Sequence, residues 1–139
     1  WMIPCNVLRT VGGFSPLFYH YGEDVDYANR IKHHGYLIGY SPKVFGCHDR
    51  ENRTISHEVF LRSEQIYHLT EYANINYSFK KAFGYSVLAC VKKSLIALVK
   101  GKAKTAGTYV IITTRLLKRT AEVRKFRKQS KLRNANYLQ

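Results

Sequence analysis

The chain has 139 residues, 45% of them hydrophobic, with 23 Lys and Arg against nine Asp and Glu for a formal charge of +14. That length suits one ordinary domain or part of a larger one, and the apolar content excludes a disordered tail. Three widely spaced cysteines, Cys5, Cys47 and Cys90, exclude a disulfide framework and read as reduced thiols of a cytosolic protein.

The charge is unevenly placed. Residues 1–55 carry six Lys and Arg against five Asp and Glu, and residues 56–139 carry seventeen against four. Two regions with different roles are expected: 1–55 and a basic region, 56–139. No signal peptide opens the sequence. It begins at Trp1 within what reads as an apolar strand, which implies an N-terminal portion outside this sequence. No apolar run reaches the roughly 18–20 residues that span a bilayer.

In chain order, residues 1–4 read as the end of a strand that Pro4 breaks. Residues 7–11 are short and mixed, and Gly12-Gly13 signals a turn. Residues 17–21 are aromatic-rich, as in a buried or ligand-facing loop. A helix is expected over 24–34. Its acidic first turn complements the helix dipole, Val25, Ala28 and Ile31 recur on one face, and Asp26 and Arg30 can pair across a turn. Gly35 supplies the stop. Strands are expected at 36–40 and 43–47, joined by Ser41-Pro42.

From Ser56 onward the pattern is helical. Ser56 or Ser63 can cap a helix running to about Tyr72, residues 86–99 are strongly apolar, and 101–107 read as a basic linker with two glycines. Residues 108–127 suggest a further helix, although the β-branched run 110–114 also suits a strand. The last dozen residues are polar and basic, as in a frayed end.

Three carboxylates in four positions, Glu23, Asp24 and Asp26, need a reason in so basic a chain. Crowded carboxylates push their pKa values apart and often serve acid–base chemistry or hydroxyl recognition. On spacing alone, Asp24 suits a helix N-cap.

The ordered set Val11-Gly12-Gly13-Phe14, Phe18, Gly22-Glu23-Asp24-Val25-Asp26-Tyr27, Arg30, Gly35-Tyr36, Pro42 and His48 resembles the C-terminal half of a rhamnosyltransferase-like family 2 glycosyltransferase. The resemblance covers residues 1–55. It implies an α/β fold, the acceptor half of a GT-A domain, followed here by the basic helical region. Two departures stand out. Ser15 replaces the family's usual Asp, and no Asp-x-Asp precedes the glycines. The half that holds the nucleotide and the main metal ligands is therefore expected outside this sequence, and this piece alone is expected to be inactive.

The resemblance implies an inverting transfer from a nucleotide-diphosphate sugar to a glycan or lipid-linked acceptor in surface polysaccharide synthesis. Asp24 becomes the general base and Glu23 touches the acceptor or orients the site. Asp26 is structural, paired with Arg30. Gly12, Gly13 and Phe14 lie beneath the acceptor, and Trp1 either stacks on a sugar face or packs in the core. His48 either ligates a diphosphate-bound Mg²⁺ or Mn²⁺ or simply ends a strand. Arg50 and Arg53 either meet the diphosphate or sit on a solvated loop. Cys47-His48-Asp49 is no zinc site, because three adjacent strand residues cannot all face one ion.

In the basic region, apolar residues flank Lys92-Lys93, and Lys100, Lys102 and Lys104 follow at once. A helix of this kind suits either a core position or the interface of an anionic membrane, where each lysine contributes about 1 kcal/mol. With the surplus of positive charge, the expectation is a peripheral protein on the inner face of the cell membrane. Nucleic acid is a poorer partner, since no nucleic-acid fold signature accompanies the basic run 118–133. The alternative to a transferase is a non-catalytic basic module that binds anionic membrane or nucleic acid.

Overall fold

The computed structural model describes residues 1–43, 46, 56–134 and 136–138. Among them, 66% are helical and none lies in a strand. The α/β expectation is therefore overturned: the chain is predominantly α-helical. A strand exists only when a neighbour completes its ladder. Residues 36–40 have the apolar pattern but pair with no described residue, and residues 1–4 likewise form no ladder. The strand expected at 43–47 lies largely outside the described residues.

Seven α-helices are described. α1 is Cys5–Val11 and α2 is Glu23–His33. The expected stop of α2 is realised. Gly35 takes a positive φ of 82°, its N–H returns to Lys32 O, and the Tyr36 N–H returns to Ile31 O. α3, His57–Ala73, is capped by Ser56, whose hydroxyl accepts from the Val59 N–H at 3.2 Å.

α4, Phe79–Phe83, is capped by Ser78 and continues through a π-helical turn, Gly84–Leu88, into α5, Ala89–Val99. The three pieces make one 21-residue helix. By length and composition alone it is apolar enough to cross a membrane, contrary to the sequence expectation, yet a third of its most apolar stretch is buried within the fold. The expected linker 101–107 shrinks to a tight turn at Gly101, since α6, Ala103–Lys118, starts two residues later. The β-branched run 110–114 is helical within α6 because Ile112 and Leu116 bury one face completely. α7, Thr120–Ser130, follows a break at Arg119.

The larger core joins α3, the long helix, α6 and α7 around Tyr72, Val87, Cys90, Ile112, Leu116 and Val123, and it also takes Leu17 and Phe18 from the loop before α2. The smaller core is Val7, Val11, Tyr27 and Ile31, between α1 and α2. Contrary to a frayed end, the tail folds back over α1. The Asn134 N–H donates to Thr10 O at 3.0 Å, and the Gly13 N–H donates to Asn136 O at 2.8 Å.

Candidate functional site

The first turn of α2 gathers the residues that the sequence singled out. Arg30 is fully buried and holds this corner together. Its Nε donates to Asp26 Oδ2 at 2.9 Å, and its two terminal nitrogens donate to Val11 O at 2.8 Å and Gly13 O at 2.7 Å. One guanidinium thus ties the end of α1 and the glycine turn to α2, using the forked geometry that only arginine offers. Burial pushes the Asp26 carboxyl up to about 6, against the pull of Arg30. The expected Asp26–Arg30 pair is present.

Gly12 and Gly13 are needed for close approach, but what approaches is the chain itself. A Cβ on Gly12 would stand 2.0 Å from Asn136 O, and one on Gly13 would stand 2.5 Å from Tyr137 O. Gly12 also holds a φ of 86°, which favours glycine. The space over the turn is occupied by the tail.

The other acidic residues face outward. Asp24 is exposed, and its Oδ1 accepts from the neighbouring Val25 N–H at 2.8 Å, its one partner among the described residues. It is not the N-cap, a position held by Gly22 in the left-handed conformation. Glu23 is half-buried, with Oε2 turned inward and unpartnered among the described residues. One turn on, the Tyr27 hydroxyl is buried and equally unpartnered among them. Three aromatic rings surround this point. Phe14 lies 5.0 Å and Trp1 6.0 Å from the Tyr27 ring, centroid to centroid. Trp1 is 68% exposed, so it is no core residue. The exposed rim therefore combines the Trp1 and Phe14 rings with the Asp24 carboxylate, with Glu23 half-buried and Tyr27 fully buried beneath.

His48, Arg50 and Arg53 lie outside the described residues. No three His, Cys, Asp or Glu among the described residues gather to hold a metal ion. They supply no complete ligand set for the divalent cation that the resemblance implies.

Sequence reasoning passed over Tyr27, although its position four residues after Glu23 puts both on one face. It also missed a polar cluster inside the helical core. Glu64 Oε2 accepts from Lys93 Nζ at 2.8 Å and from the Tyr109 hydroxyl at 2.9 Å, and His68 Nε2 lies 3.2 Å from Lys93 Nζ. Burial would raise the Glu64 carboxyl, but the hydrogen bonds from Lys93 and Tyr109 outweigh it and hold the group below its ordinary value. Burial presses the His68 imidazole down, helped by the Lys93 charge. The same burial lifts the Cys90 thiol to about 11, which makes it unreactive. The i, i+4 spacing of Glu64 and His68 was visible in the sequence; their partners, 25 and more residues away, were not.

No family model, curated protein or solved structure matches this chain. Its function is argued from its own residues.

Proposed function

We propose that the rim formed by Trp1, Phe14, Glu23 and Asp24, seated on the buried Tyr27 ring, binds a sugar acceptor, and that the chain supplies the acceptor side of an inverting glycosyltransferase. The observation that carries this reading is the pair of exposed rings, Trp1 and Phe14, packed over the buried Tyr27 ring of the same first turns of α2 that carry the exposed Asp24 and the half-buried Glu23. A sugar offers the complement, an apolar C–H face and a ring of hydroxyls. Apolar walls with a few converging polar groups are the usual make-up of a small-molecule site. The order of motifs shared with family 2 glycosyltransferases points the same way.

Asp24 is the general base of this scheme. Its carboxylate takes the proton from an acceptor hydroxyl while that oxygen attacks the anomeric carbon of a nucleotide-diphosphate sugar. The carbon–oxygen bond to the diphosphate breaks, and the nucleoside diphosphate leaves with the electron pair. Glu23 orients the acceptor, and the Asp26–Arg30 pair fixes the helix that presents both.

Work at an anionic membrane surface fits the helical region. The α5–α6 hairpin exposes Val91, Leu95, Leu98 and Val99 on one arm and Val110 and Leu117 on the other, with Val99 90% exposed. Lys100, Lys102 and Lys104 stand beside its turn. An apolar face edged by lysines suits a lipid interface. The same surface favours the second reading, a non-catalytic membrane-binding module, in which the α2 rim has no role.

Trp1 is the chain's single tryptophan, so its fluorescence reports on the rim. Titration with neutral oligosaccharides of hexoses and 6-deoxyhexoses is expected to give a saturable blue shift, lost in Glu23→Gln. Transfer from nucleotide-sugars in the presence of Mn²⁺, once detected, is expected to vanish in Asp24→Asn. A flat titration across the panel overturns the sugar site, and vesicle binding that persists beside it leaves the membrane module.

A further inference from the structure

A separate feature lies at the other end of the long helix. Between the start of α4 and the outer face of α7 is a cleft of about 480 Å³, lined by Phe79, Arg124, Arg127, Lys128 and Lys131. That volume lies within the range of small-ligand sites. Four of the five lining residues are cationic, and none is acidic.

Three observations make this more than a solvated basic face. First, Arg124 and Lys128 are one turn apart on α7 and Lys131 caps its end at i+7, so the three line one opening. Second, the floor carries a charge of its own. Arg127 is buried and donates to the carbonyls of Tyr72, Asn74 and Tyr77, and it has no carboxylate partner among the described residues. Carbonyl dipoles accept from three of its five donors, and no described carboxylate cancels its unit charge. Third, the one acidic residue of α7, Glu122, is engaged by Arg119 at 2.7 Å and does not line the cleft. Phe79 forms the apolar wall, with the Arg124 guanidinium 4.5 Å from its ring centroid.

We propose that this cleft is a binding site for a phosphorylated ligand, with Arg124, Lys128 and Lys131 as its charged contacts and Phe79 packing against the group that bears the phosphate. Several cations on one opening match an anion of charge two or more better than a single carboxylate. The forked donors of Arg124 suit paired phosphate oxygens. The ligand is either a free phosphorylated molecule or a phosphate-bearing lipid headgroup. The site is independent of the α2 rim and does not depend on sugar transfer.

The test uses the full chain and two charge-matched variants. R124E/K128E reverses two exposed residues of the cleft. K118E/K125E makes the same change at two exposed lysines outside it. Calorimetric titration with inorganic pyrophosphate, in about 0.15 M salt so that diffuse attraction is screened, is paired with sedimentation on phosphatidylcholine vesicles containing phosphatidic acid.

The expected result is one-to-one pyrophosphate binding, weakened about tenfold or more by R124E/K128E and within twofold of wild type in K118E/K125E. Equal vesicle binding by the two variants then assigns a free ligand. Vesicle binding lost selectively in R124E/K128E, and competed by pyrophosphate, assigns a headgroup. R124Q and K128Q singly are expected to show smaller losses in the same arm, which guards against misfolding of the double variant. The proposal is overturned if neither arm distinguishes R124E/K128E from K118E/K125E.

Discussion

Two buried arginines organise two connections of this molecule, and they do so differently. Arg30 holds the α1–α2 corner with a carboxylate beside it, so its charge is balanced by Asp26 and its remaining donors grip Val11 O and Gly13 O. Arg127 holds the α3–α4 connection through carbonyls, at Tyr72, Asn74 and Tyr77, with no carboxylate beside it among the described residues. Both serve as clamps on backbone that lacks regular partners. Only the second leaves net positive charge at a cleft. A buried cation closed by its own counter-ion is a structural part. One closed by dipoles still attracts an anion.

The sharpest way to break this comparison is to remove each clamp. Arg30→Met leaves Asp26 buried without its partner and is expected to cost about 3–5 kcal/mol in chemical denaturation. Adding Asp26→Leu should recover much of that loss, because the stranded charge goes with it. Arg127→Met strands no carboxylate, so its cost comes from unsatisfied carbonyls, about 1–3 kcal/mol for each that water does not reach. No second-site change at an acidic residue should rescue it. Equal rescue in both places would erase the distinction.

A smaller effect probes what the Arg30 clamp positions. Gly12→Ala carries a left-handed conformation and a clash with Asn136 O. Removing residues 134–139 should relieve the clash and leave only the conformational cost, about 1 kcal/mol. An unchanged penalty after truncation would show that the tail does not rest on the turn.

The Glu64 cluster gives a pH signature that neither arginine has. The folded pKa of His68 is depressed, so its contribution is present above the ordinary histidine value of 6.5 and is lost as pH falls below it. The folded pKa of Glu64 is depressed as well, so its contribution is present above 4.5 and is lost as pH falls further. Asp26 works in the opposite sense. Its raised pKa makes its own contribution grow as pH falls through about 6 towards 4. Thermal melts of His68→Gln should therefore lose the part of the acid slope that begins near 6.5. An identical slope would mean that the imidazole titrates normally.

The smallest stability change is expected at the hairpin. Leu98→Ser and Val99→Asp alter exposed residues and should stay within about 0.5 kcal/mol of wild type. Their expected effect is on sedimentation with anionic vesicles, which should fall. Undiminished binding would remove the hairpin from the docking surface.

Much of the helical framework was legible from local signals. Gly35 stops α2 and Ser56 caps α3, and each acts through atoms within five residues of itself. The Asp26–Arg30 pair was legible for the same reason, being one helical turn long. The strands expected at 1–4 and 36–40 were misjudged because a strand's stability lies in its neighbour, and these residues meet none among those described. The run 110–114 had an ambiguous pattern, and burial of Ile112 and Leu116 decided it as helix.

By itself, then, the sequence determined the stop of α2 and the cap of α3, the acidic first turn of α2, the i, i+4 ion pair and the basic excess after residue 55. All of these rest on spacing along the chain and on composition. Only the tertiary structure decided that the glycine turn receives the tail, that Trp1 packs on the buried Tyr27 ring, that Lys93 and Tyr109 close on Glu64, and that Arg127 is buried with no carboxylate partner among the described residues. The physical reason is one of distance. These contacts join residues roughly 25 to more than 100 positions apart, and no local preference records which distant groups burial will bring together.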